Sequence, residues 1–476
     1  MTDKVTKPQA PLPTMTTRGE RLNYWFYFLG QSMSYTMLGG FLTTYMMMVG
    51  VDLDKIALAM VAVKLWDSVN DTIFGIIFDK VKFKSGNKSM PWIRMTLGLI
   101  PLTTLFIYLI PSGLNTGTKL AWFIVAYLLL DAAYTLSDIP IYNLATALTT
   151  NLVERNSILS IARIYALAGA FITSMLTTFL VSERVGLSFG LTAIIVVIFV
   201  ILAMLPIALK GHERIKVQSS EESYTVSRMF KYLRDNKYLF LYYSGYILSG
   251  IFMTNAAIDL FVSYYLFGSA LFSTFMLVMS ALPMVVISLL IQKILNKIDK
   301  FKLFYWSNVL FVLFGLAVWL GGYQKVWLYV TLVVLRSIPQ GFMFTLNLTF
   351  TPDIVEYGRF KTGVDARGVA FAFQSFAAKL TSLAQPLGLF ILGLFGWITI
   401  KANSFAALKA LHITQTPQAL QGLWFTATLI PVIGVLLALI PYSFYKLNDH
   451  DVQIMARFNA NEITLAEAKE TLSRSY

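Results

Sequence analysis

Long apolar runs alternate with short polar, basic stretches along the whole chain. The runs begin near residues 22, 55, 93, 118, 158, 186, 237, 270, 303, 326, 367 and 420. Each is long enough for a helix that crosses a hydrocarbon core, which takes about 20 residues. The pattern predicts an all-α polytopic membrane protein with twelve transmembrane helices. Several runs pass about 25 residues, a length that tilt or extension beyond the bilayer absorbs. The largest hydrophilic interruption, 210–236, divides the spans six and six. The expected organisation is an N-terminal segment 1–21, a six-helix half 22–209, a central loop 210–236, a second half 237–446 and a tail 447–476. Two halves joined by one inner loop is the plan of transporters built from repeats, which hold substrate near mid-membrane. A tail of roughly thirty residues is short for a domain, so a receptor with an output domain is disfavoured. Its pattern is compatible with an amphipathic helix.

Composition sharpens this picture. The 476 residues are 57% hydrophobic and only 13% charged, against about 25% charged in soluble proteins. The net charge of +13 is spread between the apolar runs rather than gathered into one patch, so no nucleic-acid partner is expected. Roughly 28 of the 38 Lys and Arg fall on one side if both termini are cytoplasmic, which sets that orientation. The expected location is the plasma membrane, crossed many times. No cleavable leader is expected, because residues 1–21 are polar. Cysteine is absent, which excludes disulfides, thiolate metal sites and cysteine nucleophiles. The three histidines, His212, His412 and His450, fall in loops or the tail, so any proton path runs through carboxylates. There is no phosphate-cradling Walker loop, nucleophile elbow or His-Glu-x-x-His, and no nucleophile–base constellation. Neither an enzyme nor a resident cofactor is expected.

Charges inside apolar runs are the candidate chemistry. In the second span, Lys64-Leu-Trp-Asp67-Ser-Val-Asn70-Asp71 puts Asp67, Asn70 and Asp71 at i, i+3 and i+4, on one helical face. An acid at mid-bilayer costs at least ~2.5 kcal/mol, so two acids call for a compensating partner. A bound cation supplies it; an ion pair with Lys64 that merely aligns helices is the alternative. In the fourth span, Asp131, Thr135, Asp138 and Tyr142 share one face through three turns, with Pro140 freeing the carbonyl of Leu136. That helix is expected to be bent, hydrated and acidic on one side, with Tyr142 as a ring for a sugar to stack on. Arg163 in the fifth span and Lys379 in the eleventh either neutralise these acids or donate to substrate hydroxyls. Asp259 and Arg336 are also intramembrane, and Gln374 precedes Lys379 on its span.

Three segments resemble the glycoside–pentoside–hexuronide:cation symporters, a branch of the major facilitator superfamily. They are Trp66-Asp67-Ser-Val-Asn70-Asp71-Thr-Ile-Phe-Gly75 with the loop ending Pro91-Trp92, Tyr134-Thr135-Leu-Ser-Asp138-Ile-Pro140, and Pro352-Asp353-Ile-Val-Glu356-Tyr357-Gly358 leading to the span with Lys379. The resemblance implies a major facilitator fold and symport of a glycoside or pentoside with a cation, Na+ or H+. It implies a cation site of Asp67, Asn70, Asp71 and Thr135, with no other metal. It implies a sugar site of Asp138, Tyr142 and Arg163, with Lys379 between the two sites. Gln31 stands where the family commonly carries an acid. Lys64, Asp131, Asp259 and Gln374 are additional pocket candidates, Asp131 as an acid favouring proton coupling. Asp353 and Glu356 resemble a cytoplasmic gating network, with Arg155 as partner. Two other functions compete: a lipid or lysolipid symporter on the same scaffold, and a sugar exchanger.

Overall fold

A computed structural model describes residues 14–215, 236–347 and 349–476, without the side chains of Ser68, Val69, Asp71, Thr72 and Asp79. Most of the expected N-terminal segment and central loop, and the carboxylate of Asp71, therefore lie outside the described residues. Every element named below is helical; among the described residues one β-bridge joins Val49 and Lys401.

The helices in chain order are α1 (Arg18–Thr36), α2 (Leu42–Met48), α3 (Leu53–Lys80), α4 (Met90–Tyr108), α5 (Thr116–Leu148), α6 (Leu152–Val181) and α7 (Phe189–Lys210). There follow α8 (Lys237–Ile251), α9 (Asp259–Phe267), α10 (Leu271–Leu295), α11 (Lys300–Gly321), α12 (Val326–Asn347) and α13 (Phe350–Thr362). The rest are α14 (Arg367–Thr381), α15 (Ala384–Leu394), α16 (Phe405–Ala410), α17 (Pro417–Ser443), α18 (Asp449–Asn459) and α19 (Leu465–Thr471).

Among the described residues nine helices are each long and apolar enough to cross a membrane. A tenth span is the pair Lys237–Ala257 and Asp259–Phe267, bent by 49° at its break. The first two spans complete the twelve. The first is α1 and α2 joined by the π-turn Met37–Phe41, and the second is α3, whose internal charges lower its hydropathy. Several helices start a few residues before the apolar run, where a polar side chain takes up orphan backbone N–H groups. Thr17 and Glu20 form a capping box, and Asn115, Asn236, Asp299 and Thr416 each accept from a first-turn N–H. Helix α5 runs unbroken through Pro140. The seventh span is interrupted at its bend, and the eleventh, Arg367–Leu394, carries a short turn between Thr381 and Ala384. At the end of α9 the left-handed φ of +80° at Gly268 makes the turn into α10.

The chain divides into two compact units. The first comprises 1–42, 69–180 and 187–220, so it takes the second part of α3. In it α1 packs along α7, and α4 along α5 and α7. A Cβ on Gly169 would come within 2.4 Å of the Leu29 carbonyl oxygen, so only glycine lets α1 and α6 approach this closely. The second unit comprises 43–68, 181–186 and 221–476. Here α11 packs on α12 and α17, and α8 on α17 and α14. Its core is aromatic, with Tyr242, Tyr243, Phe304, Phe350 and Tyr442 all buried. The tail forms two helices, α18 and α19, and α18 docks on α13.

Candidate functional site

In the first unit a row of polar side chains follows one face of α5. Asp131 and Thr135 are both buried, and both meet Asn70 of α3, which is fully buried. The Asn70 amide nitrogen donates to Asp131 Oδ2 at 2.5 Å and to Thr135 Oγ1 at 3.0 Å. An ionised carboxylate only accepts, so the amide must turn its NH2 end toward Asp131. Its carbonyl Oδ1 is thereby left buried with no hydrogen-bond partner among the described residues. An unbonded buried acceptor costs roughly 1–3 kcal/mol.

The next turn of α5 carries Ser137 and Asp138. The buried Gln31 of α1 donates to Ser137 Oγ at 3.0 Å and, over a longer 3.4 Å, to Asp138 Oδ1. Ser137 is held in turn by Tyr27, whose hydroxyl is 2.6 Å away and also 3.1 Å from Thr96. Gln31 is thus fixed from two sides, with Asp138 half-buried beside it. One turn further, Tyr142 is 44% exposed, its ring edge-on to Phe28 at 5.4 Å. An exposed ring one turn from a carboxylate offers a flat apolar face next to a hydrogen-bond acceptor. Arg163 on α6 is exposed and makes no hydrogen bond or ion pair among the described residues. Arg155, at the start of the same helix, is half-buried. Tyr27 and Ser137, which position Gln31, were not singled out from the sequence. Ser137 precedes Asp138 directly, and that adjacency was the available signal.

The second unit holds its acids differently. Lys379, in the last turn of α14, donates to the Asp67 carbonyl at 2.5 Å and pairs with Asp67 Oδ1 at 3.3 Å. Lys64, one turn before Asp67 on α3, is half-buried. Gln374 lies on α14, where its Oε1 accepts from Thr351 at 2.6 Å and from Tyr243 at 3.4 Å. It braces α14 against α13 and α8. Asp353 forms an ion pair with Lys300, which also lies 3.6 Å from Asp449. Burial raises the Asp353 pKa above the ordinary carboxylate value, with Lys300 pulling it back. Glu356 pairs with Arg367 at 3.3 Å and accepts from Asn459 of α18 at 2.8 Å. Asp353 and Glu356 therefore find cations and an amide within their own unit.

Asp259 begins α9 and is exposed. Arg336, in the middle of α12, lies over the Phe311 ring at 5.4 Å, with Nε and Nη1 buried and unbonded among the described residues. Among the described residues no three His, Cys, Asp or Glu gather as for a metal ion. A hard cation would instead draw on mixed oxygens, of carboxylate, amide and hydroxyl type.

The model of the MFS/sugar transport protein family matches residues 26–449. The chain belongs to this family. It is a multi-pass major facilitator protein of the glycoside–pentoside–hexuronide branch, a family of transporters. The isoprimeverose transporter of Lactiplantibacillus pentosus is 24% identical over 95% of this chain and 94% of its own. The glucuronide carrier protein homolog of Escherichia coli (strain K12) is 26% identical over 86% and 88%. The crystal structure of the nucleoside transporter NupG aligns with a TM-score of 0.67 over 90% of this chain and 100% of that one. At 14% identity that likeness carries the fold alone. The twelve helices expected from the apolar runs, and the major facilitator fold that the resemblance implies, are the architecture of this protein.

Proposed function

We propose that this protein moves a glycoside or pentoside across the plasma membrane together with a cation, Na+ or H+, by alternating access, with both termini cytoplasmic. The observation that carries this reading is the hydrogen-bonded row on α5, where Asp131, Thr135 and Asp138 are tied to Asn70 and Gln31. Acids at membrane depth are costly and mark ion and substrate paths. The cation sits among Asn70, Thr135 and Asp131, with Asp67 and Asp71 on the same helix as Asn70. Binding there would give the orphaned Asn70 Oδ1 a partner and recover its desolvation cost. The sugar sits on Asp138, Gln31 and Tyr142, where a carboxylate and an amide accept and donate to hydroxyls and the exposed ring stacks on the apolar face. Arg163 supplies a further donor.

Cation charge in the first group lowers the cost of bringing polar groups of α3 and α5 together. Sugar affinity then rises with cation occupancy, and linkage requires sugar to raise cation affinity by the same factor. Sugar named in the relatives, isoprimeverose in one and a glucuronide in another, supports a glycoside substrate. A lipid or lysolipid cargo would want an apolar pocket with one charged end, which fits the hydrogen-bonded row less well. The test is uptake of labelled glycosides into reconstituted vesicles under a Na+ gradient and then under a proton gradient alone. Concentration of sugar under either gradient is expected. Sugar uptake that ignores both gradients, or that occurs only against a preloaded sugar, would sink symport.

A further inference from the structure

A groove unrelated to the α5 row lies in the second unit at the ends of two spans, where α11 begins and α17 finishes. Its volume is about 330 Å³. Lys302 and Tyr305 of α11, Tyr442 and Lys446 around the end of α17, and Arg474 from beyond α19 line it. Lys302, Lys446 and Arg474 are all exposed, and none joins an ion pair among the described residues. The one acid in the lining, Asp299, is already committed to backbone N–H groups: Oδ1 accepts from Lys302 at 2.9 Å and Oδ2 from Asp449 at 2.8 Å. Three like charges thus converge on one hollow with a single acid beside them, turned into the backbone.

The surroundings say what kind of anion fits. Trp306 follows Tyr305 on α11 and is 56% exposed; Phe444 follows α17 and is 62% exposed. Exposed aromatic rings at the ends of membrane spans sit at headgroup level. A hollow at that depth, basic inside and flanked by lipid-facing rings, matches the basic pockets between spans that hold anionic lipid headgroups. We propose that this groove binds the phosphate of an anionic glycerophospholipid, with Lys302, Lys446 and Arg474 around the phosphate and the acyl chains running past Trp306 and Phe444. Because Arg474 comes from beyond α19, such a lipid would also fasten the tail to the span ends. The tail holds Glu356 through Asn459, so the lipid would brace the inner face of this unit.

The experiment is binding of short-chain phosphatidylglycerol to the full-length protein in neutral detergent, followed by native mass spectrometry. Phosphatidylcholine and glycerol 3-phosphate serve as the comparison ligands. Phosphatidylglycerol is expected to bind at least tenfold more tightly than phosphatidylcholine, with the preference shrinking at high salt. Lys446→Gln and Arg474→Gln should each weaken it roughly fivefold, the weight of one basic side chain at an anionic surface. Lys409→Gln, outside the groove, should leave it unchanged. Equal binding of the two lipids by the wild-type protein overturns the proposal without any variant having to fold. So does undiminished phosphatidylglycerol binding by both groove variants. Glycerol 3-phosphate binding as tightly as phosphatidylglycerol would assign the groove to soluble phosphates and overturn the lipid assignment.

Discussion

Among the described contacts, two carboxylates of the first unit's α5 meet amides, whereas several carboxylates of the second unit meet cations. In the first, Asp131 is held by the Asn70 amide and Asp138 by the Gln31 amide. In the second, Asp67 is held by Lys379, Asp353 by Lys300, and Glu356 by Arg367. An amide orients a carboxylate without adding charge, whereas a lysine or arginine brings its own neutralising charge. Amide-held acids suit a site that must respond to a mobile cation. Lysine-held acids suit positions where charge must stay balanced through a transport cycle. Asp67 stands at the border of these regimes, on the same helix as Asn70 and one turn before it.

The largest effect is expected at the amide-held row. Asp138→Asn should lower kcat/KM for sugar uptake by roughly 10- to 100-fold, since hydrogen bonds to a charged group are worth about 1.5–3 kcal/mol. Uptake into vesicles measures it, and a variant within twofold of wild type would break the contrast between units. Next comes Asn70→Ala, which removes the donor to Asp131 and the orphaned carbonyl together. It should raise the cation concentration for half-maximal uptake about tenfold while leaving the uptake rate at saturating cation much less affected. An unchanged cation requirement would place the cation elsewhere.

The lysine-held acid is tested by a double-mutant cycle. Lys379→Gln leaves Asp67 without its ion-pair partner and should cut uptake several-fold. Asp67→Asn with Lys379→Gln should recover part of that loss, with a coupling of about 1 kcal/mol for a half-buried pair. Strict additivity would mean that the pair seen here is not used. The smallest effect is in the tail. Burial of the Asp451 carboxylate opposes its ionisation, but hydrogen bonds from Ser473, Tyr476 and His450 outweigh it and lower its pKa below 3.8. A lowered folded-state pKa stabilises above the unfolded value, and that stability is lost as pH falls through the folded one. The melting temperature should therefore fall as pH drops below about 4, and Asp451→Asn should flatten that fall by a few degrees. A variant that melts in parallel with wild type at every pH would remove Asp451 from the tail's acid response.

Much of the candidate site was legible because a charge inside an apolar run stands out. Asp67, Asn70, Asp131, Thr135, Asp138 and Lys379 were all marked by position and helical spacing. Spacing also placed Asp131 and Thr135 on one face of α5, where Asn70 meets both. Partners were less legible. Lys379 had several acids open to it, and the fold brings it to Asp67. Within their own unit Asp353 and Glu356 meet Lys300, Arg367 and Asn459, none of which the sequence pattern marks as their partners. Gln374, considered for the pocket, has its carbonyl oxygen taken by Thr351 and Tyr243. Such choices depend on how each helix is rotated about its axis and how far it slides along its neighbour.

The amino-acid sequence alone determined that this chain lives in a bilayer as twelve helices with acids inside the second and fourth apolar runs. The cost of water-seeking groups in hydrocarbon is paid residue by residue, and hydropathy records it directly. Tertiary structure decided which acids meet amides and which meet cations, where span seven breaks, and that three distant basic residues share one groove. Those outcomes come from contacts between helices far apart in the chain, which no local pattern encodes.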